Sequence, residues 1–324
     1  MAGVLILGEV DRQGALTLSS LQLATAGRSL AQELNEPLMG ALFGTDLQGA
    51  AQAFQCGLST LYLAQTPALA PYSLDAYIDA ARTLIEASNP SVVLFIQGAP
   101  AREWVPALAA RMQAGLVTNC SALSMKDDAL IATKPVNGGN VIGTFVISGD
   151  LRMVMIRTGA FSACEISANT SEVNVSLSLC TSSRVKILSE EFPDTAQGQR
   201  LKEARIVIAG GRGVGGESNW HYISEAARAL CAAVGCSRPV AESGWIAPSQ
   251  QVGLSGTSVA PSLYIAVGIS GAPQHLAGIT AAKVVAAINN DENADIFKRA
   301  DFGVVDDFAE VLQGFTERIR QLRP

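Results

Sequence analysis

Histidine is nearly missing: His221 and His275 are the only two in 324 residues. The six cysteines (Cys56, Cys120, Cys164, Cys180, Cys231, Cys236) are scattered, and none stands in C-x-x-C. Zinc and iron–sulfur sites need His and Cys donors at short, fixed spacings, so no metal site is expected. The cysteines are read instead as buried, reduced thiols of a cytosolic chain. Aromatic residues make up only 6%, no basic run exceeds two residues, and the formal net charge is −6. That balance argues against stacking platforms for nucleic acid and against a cationic face for anionic lipid. No apolar run reaches the roughly 18 residues of a membrane span. The opening "MAGVLILGEV" enters a strand without the charged n-region of a signal peptide. A soluble, cytoplasmic protein with no membrane insertion is the expectation. A G-x-S-x-G elbow is absent too, so a serine, His275 and Asp306 or Asp307 are poor material for a hydrolytic triad. No catalytic residue is expected.

What the chain does have is apolar material, 48% of it hydrophobic against 16% charged. At 324 residues that is enough for two cores and two domains. Residues 4–115 alternate short apolar runs ("VLILG", "LMGALFG", "TLYLA", "VVLFIQG") with amphipathic segments at 21–35, 47–57, 73–89 and 103–115. Continuous apolar strands alternating with helices predict a parallel sheet covered on both faces. Ser73 and Asp46 stand where N-caps belong. From about 116 to 187 the runs are strand-like with no helices between them, and Asn137-Gly138-Gly139-Asn140 and Gly149-Asp150 supply hairpin-type turns. An antiparallel extension of the first sheet is expected there. The polar stretch 189–203 is read as the linker, which gives an N-terminal α/β domain over 1–190 and a second α/β domain over 191–324. The second cycle is predicted as a strand at 205–209, a helix at 219–234, strands near 239–241, 263–268, 284–288 and 303–305, and a final helix at 307–322.

In the second half, glycine and small polar residues collect where the apolar runs end. In a parallel sheet those ends line one edge, where ligands bind and glycine lets backbone N–H groups approach phosphate oxygens. A nucleotide-type ligand is therefore expected. Gly211, Gly213 and Gly216 match the G-x-G-x-x-G dinucleotide fingerprint, which would make the chain an NAD(P)-dependent dehydrogenase. The fingerprint also needs an acidic residue about 20 positions on. The candidate, Glu242, comes 26 residues after Gly216 and past the next strand, and Arg212 inside the turn would crowd a pyrophosphate.

The runs "GGRG" (210–213), "SRP" (237–239), "QVGLSG" (251–256), "LYIAVGISGAPQHLAG" (263–278), "AINND" (287–291) and "ADFGVVDD" (300–307) occur in this order. Together they resemble the C-terminal FAD domain of the electron transfer flavoprotein alpha subunit (FixB) family over about 205–322. The resemblance implies a doubly wound FAD-binding domain, FAD as cofactor and the family's beta subunit as partner in a heterodimer. It further implies electron carriage from a flavin dehydrogenase of the acyl-CoA class to a quinone reductase or another acceptor. Membership of an NADH-dependent electron-bifurcating complex is the alternative. Carried over by position, Arg212 and Arg238 would lie by the isoalloxazine ring with Ser237 adjacent, their charge favouring reduced flavin. Ser255 would hydrogen-bond flavin N5, and His275 would reach the O2 side of the ring. Gln251, Val252, Gly253, Gly256, Gly268, Ser270, Gly271 and Gln274 would line the ribityl chain and ring. Asn289, Asp291 and Asp307 would serve the pyrophosphate and adenosine end. Three positions depart from the family pattern: Leu254, where Gln is frequent, and Glu242 with Trp245, where Asp and Phe are common.

Overall fold

The structure is a computed structural model that describes residues 3–322 except 12, 140, 167–169, 180–184, 186, 190–200 and 202–203. The chain folds into two compact units, one from 1–136 with 141–190 and one mainly from 191–324. Cys180 and most of the expected linker lie outside the described residues. No helix among the described residues is long and apolar enough to cross a membrane.

In the first unit the strands β1 (Val4–Leu7), β2 (Leu38–Gly44), β3 (Thr60–Gln65) and β4 (Val92–Ile96) alternate with helices α1 (Leu18–Leu34), α2 (Gln48–Ala53), α3 (Leu74–Ser88) and α4 (Ala101–Arg111). β1 and β4 are buried along their whole length, as expected of strands with helices on both faces. Leu23 and Leu30 of α1 pack with Ile6 and Leu94 on one face, and Ile78, Leu84 and Trp104 pack with Leu5 and Phe95 on the other. Ser73 occupies the N-cap position of α3 without a side-chain capping bond, whereas the N-cap of α2 is Leu47 and Asp46, one residue earlier, accepts from Gln48 N through Oδ1.

The region from 116 onward departs from expectation. Only β6 (Ala122–Lys126), β7 (Ala129–Val136) and β8 (Val141–Ile147) are antiparallel, and they form a three-stranded sheet of their own. β5 (Gly115–Cys120), β9 (Arg152–Ile156) and β10 (Ser171–Asn174) instead join the first sheet in parallel, in the order β10-β3-β2-β1-β4-β9-β5. The physical reason lies in burial. Met153–Ile156 is buried throughout, so β9 belongs inside a sheet covered on both faces, whereas β8 is exposed along most of its length. Gly149-Asp150 therefore turns the chain from one sheet to another.

Cysteine pairing is a second correction. Cys56 and Cys164 form a disulfide with Cα atoms 6.4 Å apart. Their separation of 108 residues left no local signal, and Cys164 is brought close by its N–H bond to Leu21 O on α1. Cys120 and Cys236 are buried free thiols whose pKa burial pushes up to about 12, and Cys231 is free and exposed.

The second unit is a five-stranded parallel sheet of β11 (Ile206–Gly210), β12 (Ala233–Cys236), β13 (Leu263–Val267), β14 (Val284–Asn289) and β15 (Phe302–Val305). The order across the sheet is β12-β11-β13-β14-β15. Helices α5 (Trp220–Leu230) and α8 (Phe308–Leu322) pack on one face through Ile223, Leu230 and Leu312. The second strand runs over 233–236 and not 239–241, which is the short helix α6 (Arg238–Glu242). Pro239 explains the shift: it lacks an N–H for a strand ladder but suits the first turn of a helix.

Candidate cofactor site

In doubly wound sheets, ligands bind beyond the strand C-termini where the strand order reverses. Here β11 is flanked by β12 on one side and β13 on the other, so that point lies between the turns that follow β11 and β13. Gly211 N donates to Val267 O at 2.8 Å and Gly213 N to Gly268 O at 2.9 Å, which ties the two turns together. A Cβ on Gly213 would stand 2.8 Å from Gly268 O, and one on Gly211 would overlap the same carbonyl. Gly268 has φ +60°. Two fingerprint glycines are thus required for packing backbone against backbone. Gly216 meets only Ser218 Oγ at 3.7 Å, and the 3₁₀ turn Glu217–Asn219 leads from it into α5. Arg212 heads the 3₁₀ turn Arg212–Val214, is exposed, and makes no ion pair with a described residue.

The neighbouring turn brings in the second cation. Ser237 N donates to Gly210 O at 2.9 Å, and the Ser237 side chain is buried. Arg238 Nε donates to Glu242 Oε1 at 2.7 Å, one turn along α6, with both side chains largely exposed. Among the described residues, Arg238 is therefore held by a carboxylate while Arg212 is not. An exposed pair of this kind contributes at most about 1 kcal/mol of stability.

Segment 251–256 lies against helix α7 (Pro273–Leu276). Val252 N donates to Cys236 O at 2.9 Å and Leu254 N to Gln274 O at 2.7 Å, with Gly253 within reach of both Gln274 and His275. Gln251 Nε2 donates to Ser255 Oγ at 3.0 Å, and Gly256 N closes the turn onto Gly253 O. The Leu254 side chain is exposed. His275 is buried, and its Nε2 lies 2.8 Å from Tyr264 Oη, which is fully buried on β13. Its Nδ1 has no hydrogen-bond partner among the described residues. Burial lowers the imidazole from its usual 6.5 to about 4, and the Val252 backbone beside it acts in the opposite sense.

Toward β14, Ile296 N donates to Ser270 O, and Gly271 packs on the Ile296 backbone. Asn289 is buried and bridges two turns: its Nδ2 donates to Ile269 O at 3.0 Å and its Oδ1 accepts from Asp291 N at 3.0 Å. Asp291 Oδ1 accepts from Asn293 N, and Asp307 Oδ1 accepts from Ala309 N in the first turn of α8. Asp307 follows β15 and Arg238 follows β12, at opposite edges of the sheet. At ~4.8 Å per strand step they are about 19 Å apart across the sheet, so only an elongated ligand could use both.

The donor set fits such a ligand. A buried imidazole nitrogen without a partner, exposed guanidinium groups and close-packed glycine turns suit an acceptor-rich ring carrying phosphates. Among the described residues no group of three or more His, Cys, Asp or Glu stands together to hold a metal ion. A doubly wound sheet with this edge defines an α/β protein that binds a nucleotide cofactor.

Comparison with known proteins specifies the cofactor. Residues 200–280 match the electron transfer flavoprotein FAD-binding domain, and residues 4–178 match the electron transfer flavoprotein domain. The chain is 35% identical over 320 residues to the electron transfer flavoprotein subunit alpha of Bacillus subtilis, covering 98% of each. It is 35% identical over 325 residues to the subunit alpha of Mycobacterium leprae, covering 99% of each. To the protein FixB of Clostridium saccharobutylicum it is 34% identical, covering 99% of this chain and 97% of that one. The chain belongs to the electron transfer flavoprotein alpha-subunit (FixB) family, and its cofactor is FAD.

Two features of the site escaped the sequence reading. Tyr264 reads as an ordinary core residue of an apolar strand, and nothing in its spacing of eleven from His275 marks a pair. The Arg238–Glu242 bond had a signal, the i,i+4 spacing, but that stretch was expected to be a strand.

Proposed function

We propose that this chain is the alpha subunit of a heterodimeric electron carrier. With the family's beta subunit it would take electrons from a flavin dehydrogenase of the acyl-CoA class and pass them to a quinone reductase or a comparable acceptor. The observation that carries the reading is the content of the switch-point edge. It holds a cation with no ion pair among the described residues at Arg212, a carboxylate-held cation at Arg238 and a buried imidazole whose Nδ1 is unpaired. Bound FAD supplies one- and two-electron redox chemistry at this edge.

The chain's own residues hold and tune the cofactor. The guanidinium groups of Arg212 and Arg238 would favour a reduced, negatively charged flavin, with Glu242 moderating the second of them. Ser255 offers a hydroxyl already oriented by Gln251. His275 offers a donor near the pyrimidine side, and Gly253, Gly268 and Gly271 keep the turns narrow enough for backbone approach. Ser237, Val252, Gly256, Ser270 and Gln274 complete the wall, while Asn289, Asp291 and Asp307 serve the pyrophosphate and adenosine end. Such a site transfers electrons without a nucleophile or a general base acting on an organic substrate.

Co-purification with the beta subunit, followed by a nucleotide count and an absorbance spectrum, tests the reading. One FAD with one AMP per heterodimer, reduced by an acyl-CoA dehydrogenase with its substrate, is the expected result. Two FADs reducible by NADH would replace simple carriage with bifurcation. A colourless protein that binds NAD would overturn the proposal.

A further inference from the structure

We propose that Tyr264 is a positioning residue: its hydroxyl donates to His275 Nε2 and so fixes the neutral Nδ1–H tautomer, which makes His275 a hydrogen-bond donor to FAD and not a positive charge beside it. The inference rests on the proposed placement of His275 at the cofactor.

Tyr264 Oη has one hydrogen-bond partner among the described residues, His275 Nε2 at 2.8 Å, and its ring is wholly buried on β13. A phenol has a single proton to place. If the imidazole donated from Nε2, that phenolic proton would be stranded in the core, at a cost of about 1–3 kcal/mol. If the phenol donates, its proton is satisfied and Nε2 acts as the acceptor. The imidazole proton then sits on Nδ1. A doubly protonated ring would strand the phenolic proton and add a buried charge that no carboxylate among the described residues offsets. Burial acts in the same direction, lowering His275 to about 4 and holding Tyr264 well above its usual 10. Both groups therefore keep fixed protonation states around neutral pH.

What remains is Nδ1–H. Within the described residues of the second unit, His275 Nδ1 is the only buried side-chain nitrogen or oxygen without a partner. An unpaired buried donor is costly unless a ligand completes it. A carbonyl-type acceptor on the cofactor would do so. The electrostatic pull on negative charge then falls to Arg212 and Arg238, and His275 supplies direction.

Two histidines make the test direct, because His221 can be assigned by removing it. In the ¹⁵N-histidine-labelled full chain loaded with FAD, two-bond ¹⁵N–¹H correlation spectra at pH 7 should show His275 protonated at Nδ1 and unprotonated at Nε2. Tyr264→Phe should populate the Nε2–H form, and its FAD dissociation constant should rise by about 3- to 10-fold. A wild-type ring protonated at Nε2 or at both nitrogens would overturn the proposal without any variant. So would Tyr264→Phe with the wild-type proton pattern. If the tautomer is as stated but the Nδ1–H resonance is the same with and without FAD, the fault lies in placing His275 at the cofactor, and the role of Tyr264 toward FAD goes with it.

Discussion

At the scale of single residues, the behaviour of His275 with pH follows from its burial. Its folded pKa of about 4 lies below the usual 6.5, so between those values the unfolded chain binds more protons than the folded one. The stability His275 contributes is therefore complete above pH 6.5 and is lost as pH falls toward 4. At pH 4.5 the loss should be about 2–3 kcal/mol. Denaturant unfolding of the wild type and His275→Gln at pH 7 and pH 4.5 measures it: the wild type should lose more than the variant by that amount. Equal losses would mean that the imidazole is not buried in its neutral form. The same scale shows how differently two arginines can be held. Among the described residues Arg212 has no ion pair and Arg238 has Glu242, a distinction visible only once 238–242 is known to be a helix.

At the scale of elements, the turns after β11 and β13 act as one unit. Gly213→Ala would force a Cβ within 2.8 Å of Gly268 O, which is backbone and cannot rotate away. A loss of about 1–3 kcal/mol is expected, together with weaker FAD binding, since the two turns must part. Gly216→Ala is the control: its backbone is extended, with φ 170°, and its nearest neighbour is 3.7 Å away. That variant should change stability by less than about 0.5 kcal/mol. Thermal unfolding and FAD titration of both variants decide the matter, and equal effects would contradict the packing role. Much of this element was legible in advance. The "GGRG" and "AVGISG" runs marked turns at strand ends because glycine density is a local property. That the first run packs on the second was not legible, because the two are separated by more than fifty residues.

At the scale of the whole molecule, the chain carries its tryptophans conveniently. Trp104 lies in a core of the first unit, and Trp220 and Trp245 belong to a cluster of the second. FAD bound by the second unit should stabilise that unit, by about 2.7 kcal/mol at a hundredfold excess over the dissociation constant. Calorimetry of the full chain should show one transition rising with FAD. Trp104 fluorescence, read in a chain whose Trp220 and Trp245 are replaced by Phe, should show the first unit's midpoint unmoved. Movement of both transitions together would mean that the units do not unfold independently.

Residue pattern alone determined the type of most elements. Apolar runs such as "VVLFI" and "LYIAV" demand burial on both faces, and the amphipathic spacing of 74–88 demands one buried stripe, so strand and helix are decided by neighbours in the chain. Pattern also marked the glycine-rich turns that end the strands of the second half. Tertiary structure decided the rest. It set β9 between β4 and β5 in parallel, sent β6–β8 into a sheet of their own, joined Cys56 to Cys164, and brought the Tyr264 hydroxyl to His275. Each of these is a contact between distant segments, chosen by which surfaces must be covered and which buried protons must be paired. No local period in a sequence carries that information.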